Sequence, residues 1–232
     1  MDKETTLIIG AGQIGSSLLR VLRPYYDVHI KDKEKLNVSN VQIMHICFPY
    51  FNGFIKAVTD YQKEYNPDYT IIHSTVPIGT SRLCNAVHSP VRGIHPNLEK
   101  GIKTFVKFLG GKQANEVADY FRRAGIKVYI TDKQETTELM KIWSTTWYAE
   151  DIEKTKQIKK DCNKHRIPFE MWTLWTNTYN VGYNKLGYPE YNRPNLIPIM
   201  KKQGGHCTLS NAEFLENDFT KIIKKLNYEK KE

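Results

Sequence analysis

The sequence predicts an α/β chain: a doubly wound parallel sheet followed by a small all-helical domain with one long helix. Two observations predict it. Between Thr6 and Ile130, short runs of β-branched and aliphatic residues alternate with stretches of helical periodicity, the pattern of repeated strand–helix–strand units. Beyond Asp132 the alternation stops. Glu135–Arg166 contains neither Gly nor Pro, and Leu139, Ile142, Trp143, Trp147, Ile152 and Ile158 recur at helical spacing. At about 1.5 Å per residue that helix spans roughly 45 Å, more than a small domain needs.

In chain order, Thr6–Ile9 is the first strand, Ser16–Arg23 a helix closed by Pro24, and Tyr26–Ile30 a second strand ending at Asp32. Val41–Phe48, stopped by Pro49, is the third. A helix from about Gly53 to Tyr65 leads past Asn66-Pro67 into Tyr69–Ser74, the fourth strand. Arg92–His95, a helix around Glu116–Ala124, and Lys127–Ile130 continue the alternation. Pro168 ends the long helix. Phe169–Asn184 forms another, and the Gly/Pro/Asn-rich stretch Gly187–Gly205 leads to a last helix over about Asn211–Tyr228. The domain boundary is expected near Thr131–Gln134, separating residues 1–132 from 133–232.

Composition narrows the function classes. The chain has 232 residues, 40% of them hydrophobic and 25% charged, so it buries a core and is neither disordered nor fibrous. No apolar run approaches the roughly 18–20 residues of a membrane helix. The stretch Leu7–Leu22 is broken by Gly10, Gly12, Gln13, Gly15 and Arg20, with no basic segment before it, which argues against a leader peptide. A cytoplasmic location is expected. Cys47, Cys84, Cys162 and Cys207 form no CxxC pair and the seven histidines are scattered, so neither disulfides nor a metal site is expected. The net charge of +9 is concentrated at Lys154–Arg166 and Lys221–Lys231, where Ile158, Ile222, Ile223 and Leu226 keep helical spacing. Solvated helix faces explain this better than a nucleic-acid surface, and a basic chain suits an anionic small substrate.

Gly10-Ala11-Gly12-Gln13-Ile14-Gly15 follows a strand and opens a helix, and an acid, Asp32, ends the next strand. That context makes it a dinucleotide-binding fingerprint of the Rossmann type. Gly10 allows the tight turn, Gly12 the approach of backbone amides to a diphosphate, and Gly15 close helix–strand packing. Asp32 fits the acid that binds the ribose hydroxyls and repels a 2′-phosphate, which favours NAD, although Lys31 and Lys33 flank it. Phe48 and Pro49 after the third strand, and Ser74 and Thr75 after the fourth, fall at the carboxyl edge where open sheets bind ligands.

Glu138, Lys141 and Thr145 share one face of the long helix. A lysine there can take the proton of an alcohol while hydride leaves the same carbon. On spacing alone, an ordinary surface Glu–Lys pair is the simpler account. Cys207 follows Gly204-Gly205-His206 and is either a thiolate nucleophile for an aldehyde or a buried structural cysteine. Arg193, in a tyrosine-bearing loop, is a candidate anion clamp. Trp143, Trp147, Trp172 and Trp175 pair at helical spacing, as core or dimer interface more often than as stacking platforms.

Together the fingerprint, the segment Ser74–Thr80 (STVPIGT), Glu135–Trp143 (ETTELMKIW) and Gly204–Cys207 (GGHC) resemble the UDP-glucose/GDP-mannose dehydrogenases. These belong to the 6-phosphogluconate-dehydrogenase-like superfamily. The resemblance implies that Lys141 is catalytic, that Cys207 is the nucleophile of a second oxidation, and that Thr75 lies near the reacting centre. It also implies that the long helix, residues 135–166, makes a homodimer. The sequence departs from the family at Thr145, usually Asn, and at Asn211, usually Asp. His95-Pro96-Asn97-Leu98 replaces a Pro-Glu-Phe-Leu segment, and Arg92–Pro96 is similar to prephenate-dehydrogenase-like enzymes. About 25 residues follow Cys207, too few for the family's second α/β domain, so the chain resembles a short form of the family.

The expectation is an NAD-dependent dehydrogenase acting on a CH–OH group of a sugar-like or hydroxyacid substrate. Lys141, Cys207, Thr75, Thr145 and Glu138 are its candidate catalytic residues, and Lys141, Arg193 and Asn211 its substrate contacts. The alternative is a catalytically silent NAD-binding module that regulates or scaffolds a sugar-modifying pathway.

Overall fold

The computed structural model describes residues 3–93, 97–200 and 209–228. The chain divides into two compact units, Met1–Ile142 and Trp143–Glu232, and the division falls inside the long helix rather than ahead of it.

The first unit is built on a seven-stranded sheet: β1 (Thr5–Ile9), β2 (Asp27–Lys31), β3 (Val41–Ile46), β4 (Tyr69–Ile72), β5 (Val87–His88), β6 (Lys107–Gly110) and β7 (Val128–Thr131), in the order β2-β1-β3-β4-β5-β6-β7. β1 to β5 are parallel, so their carboxyl ends share one edge, and the strand order reverses direction between β1 and β3. Helices α1 (Gln13–Leu22), α4 (Leu98–Thr104) and α5 (Ala114–Arg123) send Leu18, Val21, Ile102, Val117 and Phe121 into the core on one face. Helix α2 (Phe54–Tyr65) covers the other with Phe54, Val58 and Tyr65. Apolar residues on both faces of β1 and β3 explain why these strands read as continuous hydrophobic runs. The short helix α3 (Thr80–Leu83) follows β4.

Two expectations change here. The sheet is not wholly parallel: β6 runs antiparallel to β5 at His88↔Gly110, while β7 is parallel to β6. Helix α4, about 10 Å long, does not return the chain to the amino edge, so β6 begins at the carboxyl edge with Lys107. The strand expected at Arg92–His95 is also displaced. β5 is Val87–His88, Arg92 and Gly93 are not in a strand, and Ile94–Pro96 lie outside the described residues.

A staggered row of buried polar side chains crosses the sheet: Thr6 on β1, His45 on β3, His73 after β4, Ser89 after β5 and Lys107 on β6, each at most 5% exposed. Tyr120 of α5 joins it, bonding both His45 and Thr6.

In the second unit, helix α6 (Gln134–Lys164) continues from the first unit and ends where Arg166 takes a left-handed φ of 57° and Ile167 N–H bonds Cys162 O. Pro168 then starts α7 (Phe169–Leu186), which Gly187 closes at φ 83°. A 3-10 turn, Pro189–Tyr191, follows. The expected last helix is two, α8 (Leu209–Ala212) and α9 (Asp218–Tyr228). Asn217 breaks it by accepting the Thr220 N–H on its side-chain oxygen, as an N-cap does. Among the described residues no helix is long and apolar enough to cross a membrane.

Glu153 and Lys156 of α6 form an ion pair at 2.6 Å with side chains 5% and 2% exposed. Breaking such a pair strands a charge away from water. Glu153→Ala is therefore expected to cost about 3–5 kcal/mol, while Glu153→Leu with Lys156→Met costs far less. Urea unfolding of the three proteins checks this.

Candidate functional site

Two of the fingerprint glycines, Gly10 and Gly15, are demanded by the geometry of the chain itself. Gly10 sits at φ 104°, and a Cβ on Gly15 would lie 1.9 Å from the Gly10 carbonyl oxygen. A Cβ on Gly12 meets nothing within 4 Å, so Gly12 opens onto free space, with Ala11 and Gln13 exposed beside it and Ile14 turned partly into the core. Gly12 is the N-cap of α1, with no side-chain cap and no acid in the first turn. The leading amides of α1 are therefore left for an outside acceptor, and the helix dipole favours that acceptor being anionic. Asp32 is exposed just past the end of β2, on the same edge. Lys31 is buried with its ammonium on the Glu34 carbonyl at 2.7 Å. These residues fit a dinucleotide: an amide cradle that a side chain at Gly12 would fill, and an acid one strand away.

Phe48 contributes backbone rather than ring to this turn. Its N–H lies 3.1 Å from where a Gly10 Cβ would be, while its ring packs with Phe51, Phe54 and Tyr61. Pro49 is exposed beyond it. Ser74, buried, donates its hydroxyl to the Phe48 carbonyl, tying the ends of β3 and β4 together. Thr75 is half-buried next to it.

The first turns of α6 dock on this edge through polar side chains. Gln134 donates to the Ala86 carbonyl at 3.1 Å. Thr137 bonds His88 Nδ1 at 2.8 Å, and His88 Nε2 reaches the Ser74 carbonyl at 3.1 Å. Since a carbonyl only accepts, Nε2 carries the proton and Nδ1 accepts from Thr137. Burial holds His88 neutral, with a pKa of about 3. Gly110 makes room for the helix, because a Cβ there would lie 2.5 Å from Thr137 Oγ1.

Glu138 does not face Lys141 as a surface pair. Fully buried, it accepts the amides of Gly79 at 2.6 Å and Ser81 at 2.8 Å with its two oxygens. Desolvation raises its pKa, against the lowering effect of those amides. Lys141, half-buried, donates to the Val91 carbonyl at 3.0 Å, beyond β5. The amine and the amide cradle thus lie on one edge of one sheet.

In the second unit, Asn211 Nδ2 donates to Thr145 Oγ1 at 3.4 Å, so the two positions that depart from the family pattern meet each other. Arg193 stacks its guanidinium 3.8 Å from the Tyr179 ring centroid, and its backbone pairs at both N–H and carbonyl with the Asn180 side chain. Cys207 lies outside the described residues. Trp147 and Trp175 are 63% and 68% exposed, whereas Trp143 and Trp172 are half-buried. Among the described residues no group of three or more ligating side chains is placed to hold a metal ion.

Sequence reasoning missed His88, Thr137 and Val91. Thr137 stands one turn before Lys141 on the same helix face, and Gly110-Gly111 marks a close backbone approach. Those were the available signals.

No family model and no curated protein matches the chain by sequence. Solved structures do match it. UDP-D-ManNAc dehydrogenase from Pyrococcus horikoshii superposes with a TM-score of 0.68 at 16% identity, over 96% of this chain and 68% of that one. UDP-glucose dehydrogenase from Pyrobaculum islandicum gives 0.70 at 12% identity, over 97% and 68%. The fold is that of the UDP-sugar dehydrogenases. The same fold extends to a chain nearer this length: Psf3, in complex with NADP+ and 2-OPP, gives 0.61 at 12% identity over 95% of this chain and 92% of its own.

Proposed function

We propose that this chain is an NAD-dependent dehydrogenase that oxidises a CH–OH group of an anionic, sugar-like or hydroxyacid substrate. The observation that carries the reading is the sharing of one sheet edge by the uncapped α1 cradle and the Lys141 amine. The fold shared with UDP-sugar dehydrogenases supports it. Residues 10–15 would hold the diphosphate on α1 amides and Asp32 the ribose hydroxyls. With Lys31 engaged by Glu34, Asp32 is left to repel a 2′-phosphate, which favours NAD over NADP.

Bound NAD supplies a two-electron acceptor for hydride from the carbinol carbon. Lys141, once neutral, takes the hydroxyl proton on Nζ, and Thr75 orients the oxygen. Glu138 is a positioning group in this scheme: its carboxylate holds the Gly79–Ser81 turn instead of moving protons. Thr145 and Asn211 replace the amide and carboxylate of the four-electron enzymes, and an amide is no base. That favours a single oxidation, with Cys207 unused or structural. A homodimer through residues 135–166 covers the exposed apolar side chains Trp147 and Tyr148 of α6 and Met171, Leu174 and Trp175 of α7. The location is cytoplasmic.

The neutral Thr145–Asn211 pair also favours a second reading, a silent NAD-binding module. NADH formation from NAD with UDP-glucose, UDP-ManNAc or small hydroxyacids separates the two. Turnover that falls about a hundredfold or more in Lys141→Ala supports the enzyme. Turnover indifferent to that change removes Lys141 from the scheme, and none with any substrate leaves the silent module.

A further inference from the structure

The row of buried polar groups crossing the sheet lies outside the scheme above, yet it ends two residues from the acceptor of Lys141. His73 Nδ1 lies 2.7 Å from the Ser89 carbonyl, which only accepts, so Nδ1 carries the ring proton. His73 Nε2 then accepts from His45 Nδ1 at 2.8 Å, and His45 Nε2 from the Tyr120 hydroxyl, which Thr6 bonds in turn, both at 3.0 Å. The chain of donors runs one way across the sheet and terminates on Ser89. Lys107 Nζ is a second donor to the same carbonyl, at 3.3 Å, and stands 3.4 Å from the His73 N–H.

Ser89 is followed by Pro90 and Val91. Proline fixes its own φ and confines the residue before it to extended conformations, so Ser89–Val91 behaves as a short rod. Its near carbonyl, on Ser89, is held by His73 and Lys107, and its far carbonyl, on Val91, receives Lys141 Nζ. We propose that His73 and Lys107 are positioning residues for Lys141, acting through the Ser89 carbonyl and the stiff segment Ser89–Val91. The proposal rests on the reading of Lys141 as the proton-handling group.

The groups facing Lys107 make its charge state matter. They are His45 and Cys47, on β3 and just after it, His73 from the end of β4, His88 from β5, and the Phe121 ring, 5.1 Å away, from α5. Each is neutral, and Lys141 of α6 is the further cation acting on His88. Burial lowers the Lys107 pKa to about 7. A proton on Lys107 sets an ammonium against the His73 N–H donor and strains their joint hold on Ser89. The position of Lys141 is therefore linked to the titration of Lys107.

Competitive acetylation of the chain with trace acetic anhydride, read by mass spectrometry lysine by lysine across about pH 6–9, which brackets the Lys107 value and stays above the acid unfolding, tests this without turnover. In His73→Ala the Lys141 acetylation rate changes by about fivefold, the equivalent of one ordinary hydrogen bond. His73→Asn, whose amide N–H overlays Nδ1, returns it to within about twofold of the wild type. Lys107→Met, an apolar replacement suited to a buried site, removes the inflection near neutral pH from the Lys141 profile and decides the matter should His73→Ala not fold. A Lys141 rate and pH profile unchanged in a folded His73→Ala or in Lys107→Met overturns the proposal. NAD-induced stabilisation is read in parallel: its absence from the wild type overturns the dehydrogenase reading, whatever the labelling shows.

Discussion

Lowering the pH from 7 toward 4 unfolds this protein steeply, at about 4 kcal/mol per pH unit once the unfolded histidines are charged. The cause is three fully buried imidazoles: His45 and His88, held at about 3 by burial, and His73, held well below 6.5 by the same cause. All three have folded-state pKa values depressed below the unfolded value of about 6.5. The unfolded chain therefore binds three protons that the folded chain refuses. Their contribution is complete above pH 6.5 and is lost progressively as the pH falls from there toward 3. Lys107 acts in the same direction higher up: stability drains as the pH falls from 10.5 to about 7 and no further below that, where both states carry the charge. A typical domain has only about 5–15 kcal/mol in hand, so the loss is decisive within two or three pH units. Urea midpoints measured every half unit from pH 8 to pH 5 check this. A midpoint at pH 5 equal to that at pH 7 contradicts it.

Glu138→Ala also destabilises the protein. It deprives two backbone amides, Gly79 and Ser81, of their acceptors at a site closed to water. Each stranded donor costs about 1–3 kcal/mol, so the variant is destabilised by roughly 2–6 kcal/mol. Glu138→Gln keeps one acceptor oxygen but turns an NH2 toward the other amide, and falls between the wild type and Ala. Because the Gly79–Ser81 turn and Lys141 are both held by α6, loosening the turn also lowers turnover more than it lowers NAD affinity. Thermal melts with and without NAD separate the two effects, and a Glu138→Ala protein as stable as the wild type excludes the clamp.

β1 to β4 with α1 and α2 were legible because every local signal agreed: apolar runs of strand length, turn residues at their ends, and glycines where the backbone needs them. The stretch from His88 to Lys107 was not. Its strands are only two and four residues long, and His88, Ser89 and Lys107 place polar side chains at buried positions, which breaks the apolar pattern that marks a strand. The antiparallel step between β5 and β6 was hidden for the same reason. The fingerprint was legible because Gly10 and Gly15 admit no side chain. The role of Glu138 was not, since an i, i+3 spacing to Lys141 looks like a surface pair until the fold brings the Gly79 and Ser81 amides to one residue and the Val91 carbonyl to the other. Likewise, nothing in the spacing of Asn217 distinguished a helix break from a polar position on a continuous helix; only its cap on Thr220 does.

Stabilisation by NAD of the wild type and of Gly12→Val is the most direct measurement of the amide cradle. A Cβ at Gly12 meets no neighbouring group within 4 Å, and Gly12 sits at φ −66°, so valine is expected to be accommodated in the free protein with a stability change of about 1 kcal/mol. It also fills the space where the diphosphate would lie against α1. The account predicts a wild-type melting temperature that climbs with NAD concentration and a Gly12→Val protein that melts near the ligand-free wild type and does not respond. A Gly12→Val protein stabilised by NAD as strongly as the wild type, or a wild type that NAD leaves unmoved, contradicts it.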